Sequence, residues 1–249
     1  MGSKCYIVPI QKSCNCDCVF CISKTRKYNK KQSVLKCDKK YIGNIKALKE
    51  MGIKRFEITG GGEPFLNDKL VDLINKIKEI IPDSYVKLYT NGFILKEVGN
   101  IDELDISIIS NDDNVNRKYM LNKVDVSLVN KLEYFRKRYP LIKLRVSLVL
   151  LKGAIDTKEK LDNFIKNTNN YVDEYVVRTL YPDTPFKDAL YVDFEYEHEK
   201  VVFERDNCAC CFEGIILWSD NKFYNSWNLD KEIYLNKYES MKICECEIR

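Results

Sequence analysis

Short apolar runs alternate with helix-like segments along residues 5–180 of this 249-residue sequence. The runs are rich in β-branched and aromatic residues, which is typical of strands. The segments between them place apolar residues at helical spacing. This alternation predicts right-handed βαβ units and therefore a parallel sheet. The predicted strands cover residues 5–10, 54–59, 85–90, 104–110, 144–151 and 174–180.

The predicted helices lie between these strands, and several of them start at residues that favour helix caps. Helices are predicted after Asp38, after Asn67, as a short piece before Leu104, over residues 125–139 and after Thr157. Six strand–helix repeats are too few for a closed barrel of eight strands. The pattern therefore predicts an α/β fold with an open parallel sheet.

Cysteines are concentrated in residues 14–21, which read C-N-C-D-C-V-F-C. Three of them, Cys14, Cys18 and Cys21, have a C-x3-C-x2-C spacing. A loop with this spacing can supply three thiolates to a cubic [4Fe–4S] cluster, which leaves one iron open to a small molecule. Structural zinc and disulfides are the alternatives. No second cysteine or histidine pair lies at zinc-finger distance, and the single histidine is His198.

A second motif, T-G-G-G-E-P at residues 59–64, follows the predicted second strand. Backbone groups can approach a ligand closely where no side chain intervenes, so consecutive glycines favour a binding loop over a merely flexible turn. The phosphate-binding patterns G-x-G-x-x-G and G-x-x-x-x-G-K are absent from the sequence. The motif therefore predicts a ligand-binding turn at the end of a strand.

Together, the cysteine loop after the first strand and the glycine motif after the second resemble those of the radical S-adenosylmethionine (radical SAM) enzymes. The resemblance in the order of elements covers roughly residues 4–185. It implies a partial (β/α)6 parallel barrel. It also implies that S-adenosylmethionine binds the open iron and is cleaved by one electron to methionine and a 5′-deoxyadenosyl radical, which takes a hydrogen atom from the substrate. An electron donor such as flavodoxin or ferredoxin is an implied partner.

The resemblance assigns roles to individual residues. The implied cluster ligands are Cys14, Cys18 and Cys21, and the implied binding motif for the methionyl ammonium group is Gly60, Gly61, Gly62 and Glu63. The remaining cofactor-binding candidates are Phe20 near the adenine, Asn91 in the turn after the third strand, and Ser110, Ser147 and Arg178 near the ribose and carboxylate. A plain structural role is the alternative for Asn91 and for these last three residues.

Residues 191–249 differ in pattern from residues 1–190, which predicts a small second unit. Two apolar runs flank Asp220-Asn221 and predict a β-hairpin, which a helical tail follows. The unit resembles the twitch or SPASM-like extension of some radical SAM enzymes, in which cysteines flanking a hairpin hold an auxiliary iron–sulfur cluster. The sequence departs from that pattern just after the hairpin, where a cysteine is usual and residues 225–227 read N-S-W.

Five late cysteines are candidates for chemistry in this second unit. The predicted auxiliary cluster ligands are Cys208, Cys211, Cys244 and Cys246. Alternatively, one of these four or Cys210 returns a hydrogen atom to a substrate radical, or the set binds zinc.

Composition limits the location and the partners. The eleven cysteines of the chain indicate metal binding in a cytoplasmic protein, where disulfides are rare. The sequence contains neither an apolar run long enough to span a membrane nor the apolar core of a signal peptide, so a cytoplasmic location without a membrane partner is predicted. The net charge of +4 is small for a chain so rich in both signs, and a nucleic-acid partner is not predicted.

The predicted substrate is a ribosomally made peptide that is epimerised or crosslinked. A twitch-like unit after a partial barrel is often found in radical SAM enzymes that act on such peptides, and a partial barrel has a lateral opening. A small molecule, such as a sugar or a nucleoside, is the alternative substrate within the family. In a different class, the chain would be a non-enzymatic zinc-binding module.

Overall fold

The computed structural model describes most of the chain. The described residues are 4–25, 32–94, 96–121, 127–181, 184, 187–204, 214–227, 229 and 232–235. Among them, no helix is long and apolar enough to cross a membrane.

The described strands form one large sheet and one small antiparallel pair. The strands are β1 (Lys4–Ile7), β2 (Ile10–Gln11), β3 (Ser33–Val34), β4 (Arg55–Ile58), β5 (Tyr85–Thr90), β6 (Glu103–Ser107), β7 (Lys143–Val149), β8 (Glu174–Arg178), β9 (Val201–Glu204), β10 (Ile215–Leu217), β11 (Phe223–Tyr224) and β12 (Glu232–Ile233). The large sheet has the order β12-β11-β10-β1-β4-β5-β6-β7-β8-β9, and β2 pairs with β3. Every pairing from β10 across to β9 is parallel, which confirms the predicted α/β class with a parallel sheet.

The helices connect consecutive strands of this sheet. They are α1 (Ile22–Thr25), α2 (Lys39–Glu50), α3 (Leu70–Ile80), α4 (Asp113–Met120), α5 (Leu128–Arg138), α6 (Lys158–Thr168) and α7 (Lys187–Leu190), with a 3-10 turn at Pro64–Leu66. The Asp38 side chain accepts a hydrogen bond from the backbone N–H of Tyr41, and Thr157 accepts one from Lys160. These two side chains cap α2 and α6, as the sequence predicts.

One helix cap and one helix are predicted wrongly. α3 does follow Asn67, but its N-cap residue is Lys69. The side-chain amide of Asn67 instead donates to the carbonyls of Pro9, just after β1, and Leu35, just after β3, so it ties the segment before α3 to both. No helix precedes Leu104 in the described residues 91–94 and 96–102. The helix between β6 and β7 that the sequence analysis misses is α4, whose buried side chains include the polar Asn116.

The two faces of the parallel strands have different character. Val86 and Leu88 of β5 belong to the main apolar core, together with Leu73 and Ile77 of α3. Since side chains alternate across a strand, the residues between them lie on the opposite face. Residues on both faces are buried at these strands.

The opposite face carries a buried network of charges. Lys87 Nζ of β5 lies 2.7 Å from Glu103 Oε1 and 3.1 Å from Asp105 Oδ2, both on β6. Arg145 Nε of β7 lies 3.2 Å from the same Asp105 oxygen. These contacts are close ion pairs, although the angles at Lys87 Nζ and Arg145 Nε lie outside hydrogen-bond geometry. Opposite charges thus meet at the centre of the sheet, where an uncompensated charge would be costly.

The C-terminal hairpin is confirmed, and it joins the same sheet. β10 and β11 pair antiparallel, while β10 also pairs in parallel with β1. At the other end, β9 extends the sheet beyond β8. The described part of residues 191–249 therefore adds strands to both ends of the six that the sequence predicts. The division of the chain after residue 190 stays a prediction.

Candidate active site between the cysteine loop and the glycine motif

One cleft contains both sequence motifs. It has a volume of about 410 Å³ and lies between the loop after β2 and the turn after β4. Its lining residues are Lys12, Cys14, Cys16, Asp17, Cys18, Cys21, Ser23, Lys24, Gly60, Gly61 and Gly62. All three thiols of the C-x3-C-x2-C spacing therefore face the same space as the three glycines.

Backbone hydrogen bonds join the glycine motif to the start of the cysteine loop. The Lys12 N–H donates to the Gly61 carbonyl (2.8 Å), and the Glu63 N–H donates to the Ser13 carbonyl (3.0 Å). A Cβ added at Gly61 would lie 2.3 Å from the Ile10 carbonyl oxygen, and one at Gly62 would lie 2.0 Å from that of Ser13. The glycines are thus required for close approach of the two loops, in addition to the predicted approach to a ligand.

The other end of the cysteine loop rests on α4. The Asp17 N–H donates to the Met120 carbonyl (3.1 Å), and the Val19 N–H donates to the Tyr119 carbonyl (3.0 Å). These are carbonyls at the C-terminal end of the helix, which lack partners within the helix itself. The helix that the sequence analysis misses is therefore one of the two supports of the loop.

The donors in the cleft fit an iron–sulfur cluster. Cys14 is exposed, Cys18 and Cys21 are half-buried, and none of the three is in a disulfide. Among the described residues, no three His, Cys, Asp or Glu side chains converge closely enough to hold one metal ion. The ligands of a cubic cluster bind separate irons, so thiols spread around a shared cleft suit it. The wall formed by Gly60, Gly61 and Gly62 presents backbone atoms to the cleft beside the thiols.

Glu63 lies behind the cleft and is outside the lining described above. Its Oε1 accepts hydrogen bonds from Thr90 Oγ1 (2.7 Å) and the Phe65 N–H (3.2 Å), and its Oε2 accepts one from the Asn91 N–H (2.8 Å). Burial raises the pKa of this carboxyl to about 7, against the effect of these donors. Glu63 thereby fixes the end of β5 relative to the glycine motif.

Asn91 reaches from the end of β5 to the cysteine loop. Its Nδ2 donates to Asn15 Oδ1 (2.7 Å) and lies 3.7 Å from Cys14 Sγ. Its Oδ1 accepts a hydrogen bond from the Phe93 N–H. The structure therefore brings Asn91 together with a predicted cluster ligand, whereas the sequence offers no signal for its contact with Asn15.

The other predicted cofactor contacts are not among the residues that line the cleft. Phe20 packs against the main apolar core. Ser110 is buried, and its Oγ accepts a hydrogen bond from the Asp112 N–H. Ser147 and Arg178 contact each other, with Arg178 Nη1 3.0 Å from Ser147 Oγ and Arg178 Nε 2.7 Å from Glu204 Oε2. Their predicted roles toward a cofactor stay predictions.

Lys12 of the cleft was not predicted, and five predicted residues lie outside the described part of the chain. The sequence analysis misses Lys12, which lines the cleft with a left-handed φ of 56°. Lys24 also lines the cleft, and its Nζ pairs with Asp17 Oδ1 at 2.7 Å. All five late cysteines lie outside the described residues: Cys208, Cys210, Cys211, Cys244 and Cys246.

Comparisons with known proteins agree with this geometry. Among curated proteins, a GTP 3′,8-cyclase of Campylobacter jejuni is 32% identical over 91 residues, which are 36% of this chain and 28% of that protein. A GTP 3′,8-cyclase of Limosilactobacillus fermentum is 34% identical over 109 residues, which are 41% of this chain and 32% of that protein. The matched segments thus cover less than a third of these relatives.

The likeness to solved structures concerns the fold. The structure described as "Native anSMEcpe with bound AdoMet" has a TM-score of 0.55 at 16% identity, over 70% of this chain and 50% of that chain. A family model described as the radical SAM superfamily matches residues 8–171. That match covers more than half of the chain and contains both the cysteine loop and the glycine motif, so this chain belongs to the radical SAM superfamily.

Proposed function

We propose that Cys14, Cys18 and Cys21 hold a [4Fe–4S] cluster and that the glycine motif binds S-adenosylmethionine beside it. The observation that carries this proposal is the single cleft that the three thiols share with Gly60, Gly61 and Gly62. Members of the family are enzymes, and so is this chain; the alternative of a non-enzymatic zinc module is not retained. When bound, the cluster and S-adenosylmethionine supply reductive cleavage of the cofactor and hydrogen-atom abstraction from the substrate.

The residues of the chain position these groups. Gly60 and Gly62 expose backbone to the cleft, while Glu63 holds the end of β5 against the motif. Lys12 places positive charge at the cleft, which favours anionic groups such as a carboxylate, whereas the charge of Lys24 is offset by its ion pair with Asp17.

The other predicted contacts are part of the same proposal. Phe20 would lie near the adenine through its backbone, and Ser110 near the ribose. Ser147 and Arg178 would orient the carboxylate or ribose from the face of the sheet opposite the main apolar core. On that face the Ser147 hydroxyl accepts a hydrogen bond from the Arg178 guanidinium.

A substitution at Gly62 tests the binding role of the motif. Gly62→Ala places a Cβ 2.0 Å from the Ser13 carbonyl oxygen, so the motif and the cysteine loop must move apart. We expect S-adenosylmethionine to bind about tenfold more weakly, a change of about 1.4 kcal/mol. Equilibrium dialysis of the anaerobically reconstituted protein measures the affinity.

The matched control for this substitution is Gly43→Ala in α2. A Cβ at Gly43 meets no heavy atom within 4 Å, and alanine favours a helix over glycine by up to about 1 kcal/mol. This variant should keep the wild-type affinity. If Gly62→Ala also keeps it, the glycine motif is not the binding site.

The proposed substrate is a ribosomally made peptide. Two features support this choice: the open parallel sheet, and Lys12 at the cleft, which can attract an acidic residue. A nucleotide is the second candidate, because the curated relatives at 32–34% identity are named GTP 3′,8-cyclase.

One assay separates these candidates and tests the reaction itself. The reconstituted protein is incubated anaerobically with dithionite, S-adenosylmethionine and either GTP or peptides encoded beside the gene. We expect 5′-deoxyadenosine in the presence of the cluster, with flavodoxin or ferredoxin able to replace dithionite. A peptide that loses two hydrogen masses indicates oxidation or crosslinking, and deuterium uptake from D2O indicates epimerisation. Failure to form 5′-deoxyadenosine overturns the proposed function, whereas change in GTP alone overturns the peptide assignment.

The auxiliary iron–sulfur cluster is also part of the proposal. Its predicted ligands are Cys208, Cys211, Cys244 and Cys246, and the support for it is the sequence of this second unit. A thiol among the five late cysteines that returns a hydrogen atom to the substrate is the alternative use of these residues.

A further inference from the structure

Trp227 packs directly on the glycine motif from the C-terminal part of the chain. It follows the hairpin of β10 and β11, at the position where the sequence lacks the cysteine usual in twitch-like extensions. A Cβ added at Gly60 would lie 3.1 Å from Trp227 Cζ3 and 3.3 Å from Cη2. The outer, six-membered ring of the indole therefore covers one side of Gly60, a residue that lines the cleft.

Other aromatic residues hold the Trp227 ring in place. Tyr6 of β1 contacts it edge-to-face, with ring centroids 5.3 Å apart and an interplanar angle of 67°. Trp218 contacts it at 6.4 Å and 71°. Trp218 is itself fixed, because it is fully buried and its Nε1 donates to Gln11 Oε1 at 2.6 Å. Such aromatic pairs are stabilising and geometrically specific.

The glycine motif needs support on this side. Gly60 and Gly61 have φ values of +79° and +72°, and consecutive glycines in this region are conformationally free when nothing restrains them. Lys12 and Ser13 restrain the motif through hydrogen bonds to Gly61 and Glu63. On the side of Gly60, the Trp227 ring is the nearest neighbour of an added Cβ, with Val8 Cγ2 next at 3.6 Å. The Gly60 carbonyl also accepts a hydrogen bond from the Gly62 N–H (2.8 Å).

We propose that Trp227 is a positioning residue that holds Gly60 in the conformation that binds S-adenosylmethionine. The inference rests on the proposed function. Binding is stronger when a loop does not have to be ordered as the ligand arrives. The C-terminal segment thereby contributes to cofactor binding through packing.

The sharpest test is Trp227→Phe, with Phe164→Leu as the control for a lost aromatic contact. Phenylalanine at position 227 keeps an aromatic ring for Tyr6 and Trp218 but lacks the outer ring that reaches Gly60. Phe164 of α6 is buried, contacts Tyr175 edge-to-face with ring centroids 6.1 Å apart, and is not among the residues that line the cleft. We expect Trp227→Phe to weaken S-adenosylmethionine binding about tenfold, and Phe164→Leu to keep the wild-type affinity while lowering the thermal midpoint.

Affinity is measured by equilibrium dialysis on the oxidised, cluster-loaded protein, so no turnover is needed. Hydrogen–deuterium exchange of a peptide covering residues 59–63 gives a second readout without the ligand. That exchange should speed up in Trp227→Phe and stay unchanged in Phe164→Leu.

The outcomes separate this inference from the proposed function. If the wild type does not bind S-adenosylmethionine, the proposed function fails. If the wild type binds it and Trp227→Phe binds equally well with unchanged exchange, only the role of Trp227 is wrong. If both variants lose affinity in proportion to their loss of stability, Trp227 is merely structural and the inference is overturned.

Discussion

Replacing Cys18 with alanine is expected to reduce 5′-deoxyadenosine formation to background. The substitution removes one of three thiolates, and two are too few to hold a cubic cluster at this loop. Iron should fall by about four atoms per chain, the content of one [4Fe–4S] cluster. Iron and sulfide analysis after anaerobic reconstitution, with chromatography of the nucleoside product, measures both effects.

The loop and its surroundings offer matched controls for Cys18→Ala. Cys37 lies outside the cleft, with its Sγ 3.7 Å from the Asp72 carbonyl oxygen, so Cys37→Ala should keep full activity. Cys16 lies within the loop but outside the C-x3-C-x2-C spacing, so Cys16→Ala should keep its iron. Loss of iron from Cys16→Ala as complete as from Cys18→Ala would show that the ligand assignment is wrong.

The same series tests the late cysteines. A variant with alanine at Cys14, Cys18 and Cys21 should still hold about four irons if the auxiliary cluster is of the [4Fe–4S] type. If the triple variant contains no iron, the late cysteines do not hold an auxiliary cluster. Either outcome leaves the proposed role of the first cluster unchanged.

Replacing Lys87 with methionine is expected to cause a large loss of stability. The ammonium group is buried between Glu103 and Asp105, and the variant leaves two buried carboxylates with Arg145 as their near cation. Breaking a buried ion pair by removing one partner costs about 3–5 kcal/mol. For a chain of this size we expect the thermal midpoint to fall by roughly 10 °C, measured by anaerobic thermal denaturation.

Lys54→Met is the matched control for the burial of this charge. Lys54 pairs with Asp83, and the two side chains are 64% and 62% exposed. An exposed pair contributes about 0–1 kcal/mol because water and salt screen it. If the two lysine variants lose equal stability, the buried network of charges around Lys87 does not stabilise the sheet as described above.

Local sequence patterns predicted the elements that depend on near neighbours. The six strands and the caps at Asp38 and Thr157 follow from side chains within a few residues of one another. The failures occur where the role of a side chain depends on a segment outside its own element. Helix α4 has a weak apolar pattern because its buried Asn116 accepts hydrogen bonds from the Ile109 and Ser110 N–H groups. Apolar periodicity does not detect a buried polar residue whose partners lie in a loop outside the helix.

The sequence by itself determined the family, because the cysteine spacing and the glycine motif are both local patterns at strand ends. Only the tertiary structure decided how the two motifs are held together. Asn91 contacts Asn15 and Trp227 contacts Gly60, although the residues of each pair are far apart in the sequence. The pairing of β10 with β1 brings the segment after the hairpin, with Trp227, beside Gly60. Such contacts result from the packing of whole strands and helices against one another. The local sequence around each residue therefore does not predict them.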